Sequence, residues 1–266
     1  IYREVYRDKY LAANLFTFIP WKQLRISFGN SIVYSDGNLH PVYLIPFMFF
    51  NAADAVRTNY VDFAGSNSQL FFTISSRQIR HLHLYLSFFV DEWKTSRLLD
   101  PDLNNFTSFK GGARLDGFPV ANLALTAEYT RTQPMTYDHY LATTTFSSND
   151  YSLGHYLREN SEELWIGLDW KPLRGVILAG SFTFARHGDN VPYRLDAGYS
   201  VTAVPFLKNI TWENREISLS ARYEYASNGY FYLRYSYADK RGDLSRQPGF
   251  LAGKTGTLEA GINLGF

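Results

Sequence analysis

The 266-residue chain carries 26 Lys and Arg against 25 Asp and Glu, so its net charge of +1 gives no electrostatic footprint for nucleic acid. It has no cysteine, which excludes disulfides, thiolate metal sites and cysteine nucleophiles. Aromatic residues make up 17 % of the chain, yet the mean hydropathy is only −0.23. No stretch supplies the roughly 18–20 apolar residues of a transmembrane helix, whereas a barrel with a polar lumen fits this composition.

Apolar and polar residues alternate in segment after segment, as in strands with one apolar face. In the clearest segment Leu82, Leu84, Leu86, Phe88 and Val90 share one side, opposite polar or ionisable residues. The predicted strands cover residues 11–19, 24–34, 70–75, 82–91, 107–115, 120–132, 163–170, 175–187, 215–225, 230–238 and 257–266. A further apolar run at 43–50 contains a proline, so it is not predicted to be a central strand.

The predicted connections alternate in length. Short turns follow residues 19, 75, 115, 170 and 225, whereas long connections lie near 35–66, 92–106, 133–161, 188–212 and 239–255. Bacterial outer-membrane barrels have this layout, with short turns in the periplasm and long loops outside. The sequence therefore predicts an all-β fold: an antiparallel up-and-down transmembrane barrel of the Gram-negative outer membrane, formed by residues 1–266 as a single domain.

The total number of strands is predicted from two further segments and from the even strand number of known barrels. Segments 6–10 and 197–206 add to the eleven strands above, and closed bacterial barrels usually have an even number, so we expect about 12–14 strands. No charged and then apolar signal segment opens the chain at Ile1, which suggests missing upstream residues and up to about 18 strands in all. The alternative, a soluble β-sandwich or propeller, would have charged outer faces and, for a propeller, a blade-length repeat.

The last predicted strand, 257–266, has an oily face and a face of polar or very small residues, and it ends on an aromatic residue. It resembles the closing strand of outer-membrane barrels, with Leu264 and Phe266 as the closing signal. Aromatic residues near strand ends are expected at the membrane interfaces: Tyr34, Trp170, Tyr223 and Tyr225.

Charged residues of both signs are predicted on the inner face, where they would pair across strands because unpaired charges there are costly. The set is Arg25, Lys110, Arg114, Glu128, Asp169, Arg222, Glu224, Arg234 and Glu259. A salt-bridged lumen is favoured over an ion-selective pore.

Three parts of the chain resemble the Wzi-type capsule-assembly proteins. Residues 3–7 and 24–31, followed by 43–50, are similar to that family's strand and subsequent Tyr-Leu-x-Pro-aromatic loop. Residues 84–93 look like its strand ending in Asp-(Asp/Glu)-aromatic. The most distinctive segment, 152–164, resembles its Leu-Gly-His loop, which runs through Asn into the next strand.

This resemblance implies a non-enzymatic outer-membrane barrel that binds and retains capsular or other surface polysaccharide through its extracellular loops. The implied partners are that polysaccharide, outer-membrane lipid and lipopolysaccharide, other outer-membrane proteins, and the barrel-assembly machinery during insertion. Two alternatives stay open: a barrel subunit of a multiprotein outer-membrane complex, and a passive solute porin.

The candidate glycan-binding residues are aromatic, acidic and histidine side chains in or beside the long connections. Aromatic rings stack on the apolar faces of sugars, and carboxylates accept hydrogen bonds from hydroxyl groups. The candidates are Asp91, Glu92, Trp93, Tyr137, Tyr140, Tyr151, His155, Tyr156 and Trp212. The alternative is that the aromatics pack the loops together or mark the lipid interface, and that His155 orders its loop.

Other chemistries have weaker support in the sequence. His81 and His83 lie two residues apart, a spacing that can chelate a metal, but no third ligand is specified. Barrel-type lipid hydrolases place Ser and His two residues apart at a strand edge, and this chain has no such pair there. Glycine-rich nucleotide motifs are also lacking. We therefore predict no metal, no cofactor and no catalytic site.

Overall fold

The computed structural model describes residues 8–35, 38–58, 65–98, 104–149, 151–191, 193, 195–196, 199–200, 204–242 and 252–264. The strands in these ranges are β1 (Tyr10–Trp21), β2 (Leu24–Tyr34), β3 (Ser66–Ser76), β4 (Leu82–Glu92), β5 (Phe106–Asp116), β6 (Leu123–Thr132), β7 (Ser147–Ser148), β8 (Tyr151–Ser152), β9 (Ser161–Trp170), β10 (Val176–Gly188), β11 (Leu195–Asp196), β12 (Tyr199–Ser200), β13 (Ile210–Ala226), β14 (Gly229–Gly242) and β15 (Gly253–Leu264). The helices are α1 (Phe50–Thr58) and the 3₁₀ turns Pro41–Leu44, Thr95–Leu98 and Ala142–Thr144. No helix in the described part of the chain is long and apolar enough to cross a bilayer.

Eleven strands of the described residues form one antiparallel sheet, ordered β1-β2-β3-β4-β5-β6-β9-β10-β13-β14-β15. Each of these strands pairs with its sheet neighbours in chain order, which is the up-and-down arrangement. Two separate hairpins lie within long connections, β7 with β8 and β11 with β12, and each of their strands is two residues long. The predicted all-β, up-and-down architecture is confirmed.

The described residues contribute eleven strands to the sheet, and about 12–14 are expected for the whole chain; neither added segment supplies a sheet strand among the described residues. Among the described residues of segment 197–206, which are 199–200 and 204–206, Tyr199–Ser200 is the strand, and two residues are far fewer than the roughly 9–11 that cross a bilayer. In segment 6–10, Tyr10 opens β1, while residues 1–7 lie outside the described ranges. The predicted closing residue Phe266 lies outside them too, whereas Leu264 ends β15.

One face of the sheet is apolar across its whole width. The pairing register places Leu82, Leu115, Leu125 and Leu168 side by side on β4, β5, β6 and β9. The same row continues over β10, β13, β14 and β15 through Gly180, Leu219, Tyr235 and Leu258. On β1 to β4 a neighbouring row on the same face consists of Phe16, Phe28, Phe72 and Phe88. These side chains are open to the surroundings, with Leu219 55 % and Leu258 69 % exposed. Apolar side chains left exposed in continuous rows are the expected lipid-facing surface of a barrel.

The opposite face is mainly polar from β2 to β15, whereas β1 places Leu11 and Leu15 on it. Long connections fold over this face. Phe89, on the polar face of β4, packs against Tyr137 and Phe146 of the connection between β6 and β9, with ring centroids 5.4 and 5.2 Å away. The register puts every predicted inward charge on this face: Arg25, Lys110, Arg114, Glu128, Asp169, Arg222, Glu224, Arg234 and Glu259. Two of the cross-strand contacts are ion pairs, Lys110 with Glu128 at 3.3 Å and Arg234 with Glu259 at 3.9 Å. The predicted inner-face position of these charges is confirmed, and two of the expected cross-strand pairs are present.

A row of alternating charges ends the apolar face on the side of the long connections. Cross-strand pairing places Arg131, Glu162, Arg186, Glu213 and Arg241 next to one another on five successive strands. The Nε of Arg186 donates to Glu162 Oε1 at 2.8 Å. The sequence reasoning did not identify this row, because it becomes visible only once the register is known.

The connection lengths alternate as predicted. Short turns join β1 to β2, β3 to β4, β5 to β6, β9 to β10 and β13 to β14, and long connections join the other neighbours in the sheet. Several of the short turns contain a residue in the left-handed backbone conformation, including Gln23 (φ 69°) and Asn228 (φ 60°). All long connections therefore leave the sheet at the same end, and the one between β6 and β9 reaches the candidate site on the polar face.

Candidate functional site

A cluster of aromatic and charged side chains lies on the polar face of four adjacent strands, β4, β5, β6 and β9. The hydroxyl of Tyr85 donates to Glu128 Oε1 at 2.6 Å, and Lys110 Nζ lies 3.3 Å from Glu128 Oε2. The ring of Tyr85 covers Gly112, its cross-strand partner on β5, where any larger side chain would overlap the ring. Glycine thus lets a tyrosine lie against the sheet and reach the carboxylate two strands away.

A tryptophan extends this cluster onto β9. Trp165 is the cross-strand partner of Glu128, and its ring occupies the space that a side chain at Gly167 would fill. Trp165 and Glu163 project to the same face, two residues apart. The result is a surface with Tyr85 and Trp165 rings on either side of a carboxylate.

The connection between β6 and β9 adds His155 and Tyr156 above Glu163. The hydroxyl of Tyr156 donates to Glu163 Oε2, and His155 Nε2 lies 4.0 Å from Glu163 Oε1. The rings of His155 and Tyr156 lie 4.7 Å apart, and Tyr156 is 66 % exposed. We call Tyr85, Lys110, Glu128, Glu163, Trp165, His155 and Tyr156 the lumen cluster.

Tyr137 fixes this part of the connection. The backbone N–H of His155 donates to the Tyr137 hydroxyl at 3.1 Å. The Tyr137 ring also fills the space beside Gly154, so a larger residue would collide with it. The Leu-Gly-His motif therefore has a packing role here: glycine admits the buried ring, and the ring positions His155.

His155 is held in its neutral form. Burial, with a smaller contribution from the positive charge of Lys110, lowers the pKa of His155 from 6.5 to about 4, while Glu128 acts in the opposite direction. Because this pKa is lower in the folded protein than in an unfolded chain, its contribution to stability is complete above about pH 6.5 and is lost as the pH falls towards 4.

We expect acidification to open the connection around His155. With pKa values of 6.5 in the open state and about 4 in the folded state, the folded connection is roughly 2 kcal/mol less stable at pH 5 than at neutral pH. Amide exchange at residues 154–157, corrected for its intrinsic pH dependence, should then show easier opening at pH 5 than at pH 7.5. The substitution His155→Gln removes the titrating group and should abolish this difference. An equal pH response in both proteins would contradict the assigned cause.

The other predicted glycan-binding residues lie in separate places. Tyr151, in the β7–β8 hairpin of the same connection, is 79 % exposed. Tyr140 is 47 % exposed and packs against His139 and Tyr193, with centroids 4.3 and 6.2 Å away. Trp212 lies in β13, paired with His187 of β10. These residues are not part of the lumen cluster, and glycan contact by them stays a prediction.

The Asp91-Glu92-Trp93 segment is engaged in contacts within the protein. Glu92 Oε1 lies 2.7 Å from Arg97 Nη2, and Glu92 Oε2 accepts a hydrogen bond from the Tyr193 hydroxyl at 3.2 Å. The side chain of Asp91 accepts a hydrogen bond from Gln69 at 3.4 Å. Trp93 packs edge-on against Phe88, a residue of the apolar face, with centroids 6.4 Å apart. This contact places Trp93 beside the apolar face, as expected if its ring marks the lipid interface and does not bind a glycan.

The paired histidines make separate hydrogen bonds. His81 Nδ1 lies 2.8 Å from the carbonyl oxygen of Asp116, and His83 Nε2 lies 2.8 Å from Ser75 Oγ. Among the described residues, no group of three or more His, Asp or Glu side chains is arranged to hold a metal ion.

No protein-family model and no curated protein sequence matches this chain. Among solved structures it is similar to Wzi of Escherichia coli, described as a carbohydrate-binding β-barrel involved in group 1 capsule assembly, with a TM-score of 0.55 and 13 % identity over 95 % of this chain and 51 % of Wzi. Pseudomonas aeruginosa OccD3 has a TM-score of 0.42 and 11 % identity, over 96 % of this chain and 60 % of OccD3. P. aeruginosa OccK5 has a TM-score of 0.44 and 13 % identity, over 96 % of this chain and 62 % of OccK5.

The chain thus spans about half the length of Wzi. The likeness to Wzi, together with the sheet and its apolar face, shows the fold class, an outer-membrane β-barrel.

Proposed function

We propose that this protein resides in the bacterial outer membrane and binds a surface polysaccharide, without catalysis, at the lumen cluster. The observation that carries the proposal is the grouping of three aromatic rings, Tyr85, Trp165 and Tyr156, with the carboxylates Glu128 and Glu163 on the polar face. Aromatic faces stack on the C–H faces of sugar rings, and carboxylates accept hydrogen bonds from their hydroxyls. The carbohydrate binding described for Wzi agrees with this proposal.

The charge of the cluster favours a class of glycan. Because the pKa of His155 in the folded protein is about 4, this side chain is neutral near pH 7, and within the lumen cluster Glu128 and Glu163 outnumber Lys110. A neutral, hydroxyl-rich polysaccharide satisfies these acceptors, whereas a uronic acid would add a repelling negative charge. Neutral glycans should therefore bind more tightly than acidic ones of equal length.

The direct test is binding of fluorescently labelled neutral and uronic-acid-containing polysaccharides to the full chain in lipid nanodiscs. Saturable binding, tighter for the neutral polymers, is expected. In cells that lack the protein, polysaccharide should move from the cell-attached fraction into the medium while total synthesis stays unchanged. Folded protein that shows no saturable binding to either class would overturn the proposal.

A second candidate function, passive solute transport, is favoured by the polar face, which bears both signs of charge over many strands. Conductance in planar bilayers separates the two functions. Steady conductance without polysaccharide binding would support a channel, and the reverse result would support the binding function.

A further inference from the structure

The connection between β2 and β3 contains a segment that lies on the apolar side of the sheet. We call residues 41–56 the external segment; it comprises the 3₁₀ turn Pro41–Leu44, the chain 45–49 and most of α1. The ring of Phe47 stacks on Phe16 with centroids 5.6 Å apart and an angle of 15°. Phe16 is paired with Phe28 of β2 and belongs to the apolar face. The external segment therefore lies on the opposite side of the sheet from the lumen cluster.

The inner side of this segment is fixed to the sheet. Tyr43 and Phe50 form a buried core with Ile32 and Tyr34 of β2, each at most 3 % exposed. The ring centroids of Tyr34 and Tyr43 lie 4.7 Å apart. Polar contacts add to this core, because Asn14 Nδ2 of β1 donates to the carbonyl oxygen of Met48 at 2.8 Å.

The opposite side of the segment is apolar and uncovered. Its exposed large side chains are Leu44 (62 %), Ile45 (46 %), Phe47 (81 %), Phe49 (42 %) and Val56 (60 %). The segment contains a single charged residue, Asp54, and the hydroxyl of Tyr43 donates to its Oδ1 at 3.4 Å. Water solvates such a surface poorly, since burying one Leu, Ile, Val or Phe side chain is worth about 1.5–3 kcal/mol.

We propose that the external segment inserts these side chains among the acyl chains of the membrane's outer leaflet and so anchors the barrel at its long-loop end. This inference rests on the outer-membrane location proposed above. Lipid is the occupant that the surface fits, because the segment continues the lipid-facing surface through the Phe16–Phe47 stack. A polysaccharide would need hydrogen-bonding groups, and the exposed side chains named above have none.

Spin labelling tests this inference, and a chain without native cysteine allows a single label at a chosen position. Phe47→Cys and, as a second site, Val56→Cys are labelled with a nitroxide in the full chain and reconstituted into liposomes. Collisions with oxygen, which dissolves in hydrocarbon, are compared with collisions with a water-soluble nickel chelate. Leu219→Cys on the apolar face serves as the lipid control and Tyr151→Cys as the aqueous control.

The expected result is an oxygen-to-nickel ratio at positions 47 and 56 equal to that at 219 and well above that at 151. A ratio equal to that at 151 overturns the anchor, as does a label shielded from both reagents, which would indicate a protein or a second copy on this surface. If the label at 219 is itself accessible to nickel, the outer-membrane location fails, and with it the inference. A lipid-like ratio at 219 with an aqueous ratio at 47 and 56 rejects the anchor alone.

Discussion

The substitution Trp165→Ala is expected to weaken polysaccharide binding by roughly ten- to a hundredfold. Stacking on an aromatic side chain is worth about 1–3 kcal/mol for a planar base, and we take a sugar ring to be of this order; each 1.4 kcal/mol is a tenfold change in affinity. The ring of Trp165 lies over Gly167 and is half-buried, so its loss removes a binding surface and leaves the core of the protein unchanged. Titration of labelled polysaccharide with protein in nanodiscs measures the change.

Trp170→Ala is the matched control for this prediction. Trp170 is on the same strand, β9, but it pairs with Leu123 and Leu178 on the apolar face. Its removal should leave the affinity unchanged, because its side chain is on the apolar face, opposite the lumen cluster. Equal losses in both variants would indicate damage to the strand, and an unchanged affinity in Trp165→Ala would remove this ring from the proposed site.

The faces of the strands were predictable because a strand has a strict two-residue period. Lys110 and Glu128 could be assigned to the inner face from their positions in the alternating pattern, and the structure pairs them there at 3.3 Å. The same period predicted the apolar face on which Leu168 and Leu219 lie. Connection lengths correctly predicted which strand ends carry the long connections, since short and long links alternate along the chain.

The site was predictable only where it lies in a loop. His155 and Tyr156 were proposed from their place in a long connection, whereas Tyr85 and Trp165 were not, because they lie within strands. Trp165 carries a local signal, a glycine two residues on and on the same face, which leaves room for its ring. Tyr85 carries no such signal, since its glycine, Gly112, is on another strand and is found only through the register.

The external segment shows a different limit. The proline in the run at 43–50 indicated correctly that this is not a central strand, and the residues form a 3₁₀ turn and the start of α1. The pattern could not predict which side of the sheet the connection would cover. That choice depends on contacts between distant residues, such as the stack of Phe47 on Phe16 and the hydrogen bond from Asn14 to Met48.

The substitution Asn30→Ala is expected to release the external segment from the sheet. Asn30 of β2 is 3 % exposed, and its Oδ1 accepts the backbone N–H of Phe50 at 2.8 Å. Its Nδ2 donates to Asn14 Oδ1 at 2.6 Å and to the carbonyl oxygen of Met48 at 3.4 Å. A buried group left without its partner costs about 1–3 kcal/mol, so amide exchange over residues 48–56 should speed up by roughly ten- to a hundredfold.

Asn51→Ala separates this effect from a general loosening of α1. Asn51 also anchors the helix, since its Nδ2 donates to Ser68 Oγ at 2.8 Å, but this contact is exposed to solvent. Water replaces an exposed partner, so we expect at most a severalfold change in exchange, within the roughly 0.5–1.5 kcal/mol of an ordinary hydrogen bond. If Asn30→Ala has no larger effect than Asn51→Ala, the packing of Tyr43 and Phe50 holds the segment in place, and the buried amide contributes little.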